Sequence, residues 1–170
     1  REAIPRETIL FLDSTIPAYV AQRCFMTLEP RTYNHPHGWV SIGYAFAACL
    51  GGKAGLPDRQ VLCITGDGGF QYNLQELGSA IQYGIAPVVL IFNDEAWGVL
   101  KRYQDQRFDG RKFATELHNP DFERLAAAYG VGYHSVETVW ELSHVLQTLR
   151  KPDILQLVEV RIPNGFANFR

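Results

Sequence analysis

Val61-Leu62-Cys63-Ile64 leads into Gly66-Asp67-Gly68-Gly69, and Val88-Val89-Leu90-Ile91-Phe92 leads into Asn93-Asp94, with twenty-four residues (69–92) between Gly68 and Asn93. Each apolar run has the length and β-branched content of a strand buried on both faces. Two such strands, laid parallel, place Asp67 and Asp94 at their carboxyl ends, where ligands of open α/β sheets collect. Gly68 and Gly69 leave backbone N–H groups unobstructed where the next helix begins, and a helix N-terminus binds phosphate readily. A diphosphate carries too much negative charge to sit beside two carboxylates unaided. A Mg²⁺ ion between them resolves the conflict, because it takes oxygen ligands and commonly bridges phosphates. Gly-Asp-Gly alone is an ordinary turn; the specificity lies in the whole order of strand, Gly-Asp-Gly-Gly, helix, Pro87, strand and Asn93-Asp94.

Outward from this stretch, short strand-like runs alternate with helix-like segments. Residues 8–12 read as a strand, and Asp13-Ser14-Thr15-Ile16-Pro17 opens a helix running to about Met26. Residues 30–38 are turn-rich. Ser41 to Ala54 is small and apolar, as a closely packed helix would be. Leu74, Leu77 and Ile81 recur at helical spacing across residues 70–83. Residues 121–129 form a helix that Gly130 stops, residues 136–149 another, and residues 154–160 a last strand. Alternating strands and helices predict an α/β fold in three layers, a mostly parallel central sheet flanked by helices. With no repeat or linker, residues 1–170 read as one domain.

The 170 residues are enough for a real core, and a hydrophobic fraction of 46% with 20% charged is ordinary for a globular domain. A net charge of −2 and a pI near 6.2 give no electrostatic case for nucleic acid or an anionic membrane. No apolar run approaches the roughly 20 residues of a membrane span. The start, Arg-Glu-Ala-Ile-Pro-Arg, has no signal segment and reads as the beginning of a piece of a longer protein. Cys24, Cys49 and Cys63 lack metal-ligand spacing and read as buried, reduced thiols, which suits the cytoplasm.

The stretch from Ser41 to Gln104 resembles the C-terminal, diphosphate-binding domain of thiamine diphosphate enzymes, the superfamily of acetolactate synthase, pyruvate decarboxylase and benzoylformate decarboxylase. Gly66-Asp67-Gly68 followed by Asn93-Asp94 carries the resemblance, where the family shows Gly-Asp-Gly and then Asn-Asn. Ser41-Ile42-Gly43-Tyr44, Pro57-Asp58-Arg59 and Gln75-Glu76-Leu77 add to it. The resemblance implies thiamine diphosphate and Mg²⁺ as cofactors. It implies Asp67, Asp94 and the Ala96 backbone carbonyl as metal ligands, with Asn93 as the fallback. It further implies that Ile42 props the cofactor into a bent shape and that the Val40 carbonyl faces its amine. Ser41, Gly66, Gly68, Gly69, Trp97, Gly98 and Val99 complete the expected cofactor contacts, with Leu100 beside them.

Three positions depart from the family pattern. Asp94 replaces an asparagine and adds a negative charge; Lys101 and Arg102 are candidates to offset it, or else solvated surface charges. Tyr103 falls where biosynthetic acetolactate synthases carry a tryptophan. Ala47 replaces a proline, which reads as a packing variation. Ser14 and Thr15 are either diphosphate contacts or helix caps. His35 and His37 are entrance residues or merely exposed, and His118, His134 and His144 show no ligand spacing. Trp39 and Trp140 read as packing residues and Glu76 as structural.

Thiamine diphosphate supplies an electron sink for 2-keto acid chemistry. The implied function is thus part of a decarboxylase or carboligase, most of all acetolactate synthase-like, acting on a 2-keto acid such as pyruvate. A simple 2-keto acid decarboxylase or one subunit of a split decarboxylase are the alternatives, and a non-catalytic cofactor-binding or regulatory domain is the alternative of another class. The family's proton-relay glutamate sits on a separate pyrimidine-binding domain, for which this chain has no room. The chain alone is therefore expected to be inactive, and the working enzyme a homodimer or homotetramer. Whether FAD is present is not legible.

Overall fold

The computed structural model describes residues 1–164. Six strands form one sheet: β1 (Ile9–Leu12), β2 (Tyr33–Asn34), β3 (Val61–Gly66), β4 (Val88–Asn93), β5 (Gly132–Val136) and β6 (Gln156–Arg161). Their order is β2-β1-β3-β4-β6-β5, and every pairing is parallel. β3 and β4 are neighbours in a register that sets Cys63 beside Val89 and Gly66 beside Phe92.

Alternation along β4 divides the core. Val89 and Ile91 point to one face, joining Phe46 and Cys49 of α2 (Tyr44–Gly55), Phe70 of α3 (Asp67–Gln71), Leu77 of α4 (Leu77–Gln82) and Phe122 of α6 (Phe122–Tyr129). Val88 and Leu90 point to the other, joining Ala18 of α1 (Ile16–Cys24) and Leu146 of α7 (Val139–Thr148). A period of two in a strand requires this split, and burial on both faces explains why β3 and β4 are nearly continuous apolar runs. The expected three-layer α/β architecture is what the chain adopts. α5 (Gly98–Arg107) lies beyond β4.

Several local expectations need correction. The helix predicted over residues 70–83 is broken: α3 ends at Gln71, a 3₁₀ turn covers Leu74–Glu76, and α4 begins at Leu77. α3 starts at Asp67 itself, so Gly68 and Gly69 lie inside its first turn. β2 falls within the stretch read as turns, and α5 and β5 were not predicted. The helix read from residue 136 starts at Val139, because residues 132–136 belong to β5; Thr138 and Glu141 then close a capping box. Gly130, at φ +67, stops α6 as expected. With all strands parallel, β1, β3 and β4 end along one edge of the sheet. Asp13, Asp67 and Asp94 stand there in neighbouring positions, immediately after their strands.

Candidate cofactor and metal site

A cleft of about 240 Å³ opens at that edge, lined by Asp13 to Pro17, Val40, Ile42, Gly66 to Gly69, Asp94 and Ala96 to Leu100, with Tyr103 at its side. Every expected contact except Ser41 and Asn93 therefore borders one cavity. Ser41 is exposed and does not line it.

Asp67 and Asp94 are buried, at 2% and 7% exposure. Asp67 Oδ1 accepts from the Gly68 N–H at 2.9 Å, and its Oδ2 accepts from Asn119 Nδ2 at 2.6 Å. Burial raises the Asp67 carboxyl above its ordinary range, against these bonds. Asp94 is pushed up to about 6, first by burial and then by the negative charge of Asp67; the Ala96 N–H and the Lys101 charge pull the other way. Lys101 divides its charge, since its Nζ lies 2.5 Å from Glu116 Oε1.

Two buried carboxylates, one of which raises the proton affinity of the other, form a site suited to a divalent cation. Among the described residues no cluster of three or more His, Cys, Asp or Glu side chains could hold a metal alone. Asp67 and Asp94 share the cleft with the Ala96 backbone. Ala96 forms an isolated antiparallel bridge with Glu116, but its bonds run from Trp97 N to Thr115 O and from Leu117 N to Glu95 O, both 2.8 Å. That bridge leaves the Ala96 carbonyl unspent. Asp67, Asp94 and the Ala96 carbonyl offer hard oxygen donors of the kind a Mg²⁺ ion takes.

Close backbone approach explains two glycines. A Cβ on Gly98 would lie 2.6 Å from Asp94 Oδ2, and one on Gly68 would lie 2.5 Å from the Trp97 ring. Trp97 thus lies over the Gly-Asp-Gly turn.

Asn93 does not line the cleft, and its side chain is engaged within the domain. Its Oδ1 accepts from Asn119 Nδ2 at 2.9 Å and from the Glu95 N–H at 3.1 Å, and its Nδ2 donates to Glu159 Oε1 at 2.7 Å. Asn119 joins Asn93 to Asp67, and Gln71 Nε2 in turn donates to Asn119 Oδ1 at 2.9 Å. Sequence reasoning missed Asn119 and Gln71. Asn119 announces only a turn, in His118-Asn119-Pro120-Asp121, and its partner Asp67 is 52 positions away.

Ser14 and Thr15 both line the cleft, and neither makes the capping bond that was the alternative: Thr15 is the N-cap of α1 without a side-chain cap bond, and Ser14 Oγ donates to the Val40 carbonyl at 2.9 Å. His35 and His37 pack ring to ring at 4.5 Å outside the lining, behind Tyr19. Glu76 accepts from Ser79 Oγ at 2.8 Å, a local contact. Cys49 and Cys63 are buried and Cys24 is exposed, all three free.

Residues 15–160 match the family model described as thiamine pyrophosphate enzyme, C-terminal TPP binding domain. The chain is 40% identical over 120 residues to an acetolactate synthase large subunit of Haemophilus influenzae, a match covering 70% of this chain and 21% of that protein. It is 34% identical over 160 residues to a probable 2-ketoarginine decarboxylase of Pseudomonas aeruginosa, covering 94% of this chain and 28% of that one. Among solved structures, the thiamine diphosphate-dependent 4-hydroxybenzoylformate decarboxylase of Rhodococcus jostii superposes with a TM-score of 0.86 at 28% identity, over 96% of this chain and 31% of that chain. The chain thus spans between a fifth and a third of the length of these relatives. By the match across most of its length, the chain belongs to the thiamine pyrophosphate enzyme family, as a C-terminal TPP-binding domain.

Proposed function

We propose that this domain binds the diphosphate of thiamine diphosphate through Mg²⁺ and serves an enzyme that decarboxylates a 2-keto acid such as pyruvate and transfers the remaining fragment, in the manner of acetolactate synthase. The observation that carries this reading is the pair of buried carboxylates, Asp67 and Asp94, at the ends of adjacent parallel strands in one cleft. Asp67, Asp94 and the Ala96 carbonyl hold the metal. The backbone N–H groups that follow Asp67, and the hydroxyls of Ser14 and Thr15, face the diphosphate. Ile42, 40% exposed at the cleft wall, supports the bent cofactor. Bound thiamine diphosphate supplies the electron sink for decarboxylation. The protein's part is to orient that cofactor and keep water from it, and Trp97, Val99 and Leu100 form the apolar side.

The cleft is open, and Ile42, Leu100 and Tyr103 are between 40% and 49% exposed beside it. We assign the open side to a pyrimidine-binding domain of the same or another chain, within a homodimer or homotetramer. None of the helices in the described residues is long and apolar enough to cross a membrane, and the exposed free Cys24 suits a reducing cytoplasm.

A second reading is a simple 2-keto acid decarboxylase. It is favoured by two matches to proteins described as decarboxylases, which cover 94% and 96% of the chain. Calorimetric titration of thiamine diphosphate with Mg²⁺, then with EDTA, tests the shared part on the complete enzyme: binding should require the metal and vanish in Asp67→Ala. Metal-independent binding, or full affinity in Asp67→Ala, would overturn it. Product analysis with pyruvate separates the readings, acetolactate supporting the first and acetaldehyde the second.

A further inference from the structure

Asp13 is 1% exposed and lies at the end of β1, yet nothing in the proposed chemistry uses it. Its carboxylate gathers donors from three segments. Oδ1 accepts from the Ser14 N–H at 2.8 Å, both oxygens accept from the Gly43 N–H at 2.9 and 3.0 Å, and Oδ2 accepts from Thr65 Oγ1 at 3.1 Å. Thr65 stands two residues before Asp67, and Gly43 directly follows Ile42. One carboxylate therefore ties the end of β1, the end of β3 and the loop carrying Ile42.

That loop needs restraint. Val40 is β-branched and sits at φ +59, and Gly43 sits at φ +89. A β-branched residue in the left-handed region is strained, and such strain persists only where its surroundings over-determine it. The restraint arrives at both ends. Gly43 is the N-cap of α2 and has no side chain of its own there, and Asp13, from a different element, accepts its N–H. Ser14, whose own N–H Asp13 fixes, holds the Val40 carbonyl at 2.9 Å.

We propose that Asp13 is a positioning residue: with Ser14 it clamps residues 40–43 against the ends of β1 and β3, and so sets where Ile42 meets the cofactor relative to the Asp67 metal ligand. This inference rests on the thiamine diphosphate reading for its consequence, but not for the clamp itself.

The test uses Asp13→Asn in the complete enzyme, since asparagine keeps one acceptor and the side-chain volume. Hydrogen exchange at the Gly43 amide should accelerate, without need of any cofactor. Mg²⁺-dependent affinity for thiamine diphosphate should stay within about threefold, because the metal ligands are untouched. Exchange of the bound cofactor's C2 proton should fall about 100-fold, the scale on which a displacement near 1 Å acts. Unchanged protection of Gly43 would overturn the clamp. Faster Gly43 exchange with wild-type C2 exchange would overturn its link to the cofactor, as would a loss confined to affinity. If Asp13→Asn does not fold, Ser14→Ala cuts the Val40 tether; an unaltered residue 40–43 exchange pattern in the cofactor-free protein would equally overturn the clamp. A wild-type enzyme that binds no thiamine diphosphate would sink the cofactor reading, and Gly43 exchange would still decide the clamp.

Discussion

Asp94 carries a charge that its surroundings oppose. Burial and the neighbouring Asp67 charge hold its proton up to about 6, against 3.8 for an ordinary aspartate. For a carboxyl raised in the fold, its contribution to stability is fully present below the unfolded value near 4 and is lost as pH rises through about 6. At pH 7 without metal, ionised Asp94 therefore costs the fold about 1–2 kcal/mol after solvent screening. Asp94→Asn should raise Tm by several degrees at pH 7 in EDTA and leave it nearly unchanged at pH 4, as calorimetric scans at the two pH values would show. Metal binding runs the opposite way, since a cation must displace that proton. Mg²⁺-dependent affinity should weaken roughly tenfold per unit as pH falls below 6, and this limb should flatten in the asparagine variant. An affinity independent of pH between 5 and 7 in the wild-type protein would show that Asp94 is not a ligand. The substitution at residue 94 was legible in the sequence, because Asn93-Asp94 ends an apolar strand. The burial of Asp94 was not, since that depends on Gly98 packing against its carboxylate.

At the scale of elements, legibility followed the origin of each signal. β3 and β4 were readable because burial on both faces writes an unbroken apolar run. The 70–83 segment reads as one long helix because Leu74, Leu77 and Ile81 do keep helical spacing. The break at Tyr72-Asn73 coincides with a tertiary bond: Asn73 Nδ2 donates to the Gly43 carbonyl at 2.7 Å. β5 was missed because Gly132-Tyr133-His134-Ser135-Val136 is an edge strand, half exposed and without an apolar run. α3 has only five residues, so packing rather than helix propensity must hold it. Phe70 is fully buried, 5.1 Å from the Phe46 ring and 6.0 Å from Phe122. Phe70→Ala should cost about 3–5 kcal/mol in urea unfolding, through lost burial and the cavity left behind. It should also weaken Mg²⁺-dependent binding beyond its effect on the folded fraction, because Phe70 anchors the turn that begins at Asp67. Wild-type affinity of the folded variant would show that the metal turn does not depend on α3 packing.

For the whole molecule, the cleft and its rim form one open face. Trp39 is 87% exposed, Tyr72 60% and Tyr103 45%, with Val40, Ile42 and Leu100 between 40% and 49%. Val40, Ile42, Leu100 and Tyr103 line the cleft itself, Trp39 adjoins Val40, and the Tyr72 ring lies 6.2 Å from that of Trp97. Aromatic and aliphatic side chains gathered around a polar metal site are what a partner domain would cover. The polar architecture around Asp67 is internal: the hydrogen bonds joining Asp67, Asn119, Asn93 and Glu159 lie inside the domain, so the chain's own side chains hold that end of the cleft. The isolated chain should therefore fold and bind Mg²⁺ with thiamine diphosphate weakly, yet show no turnover of pyruvate. Adding a pyrimidine-binding domain from the complete enzyme, in trans or by fusion, should restore turnover and tighten cofactor affinity at least tenfold. Substituting Trp39 or Tyr72 by Ser should reduce that gain while leaving the isolated chain's Tm and its weak metal-dependent binding unchanged. Robust turnover by the chain alone, or a gain indifferent to both substitutions, would show that this face is not where the missing half of the site docks.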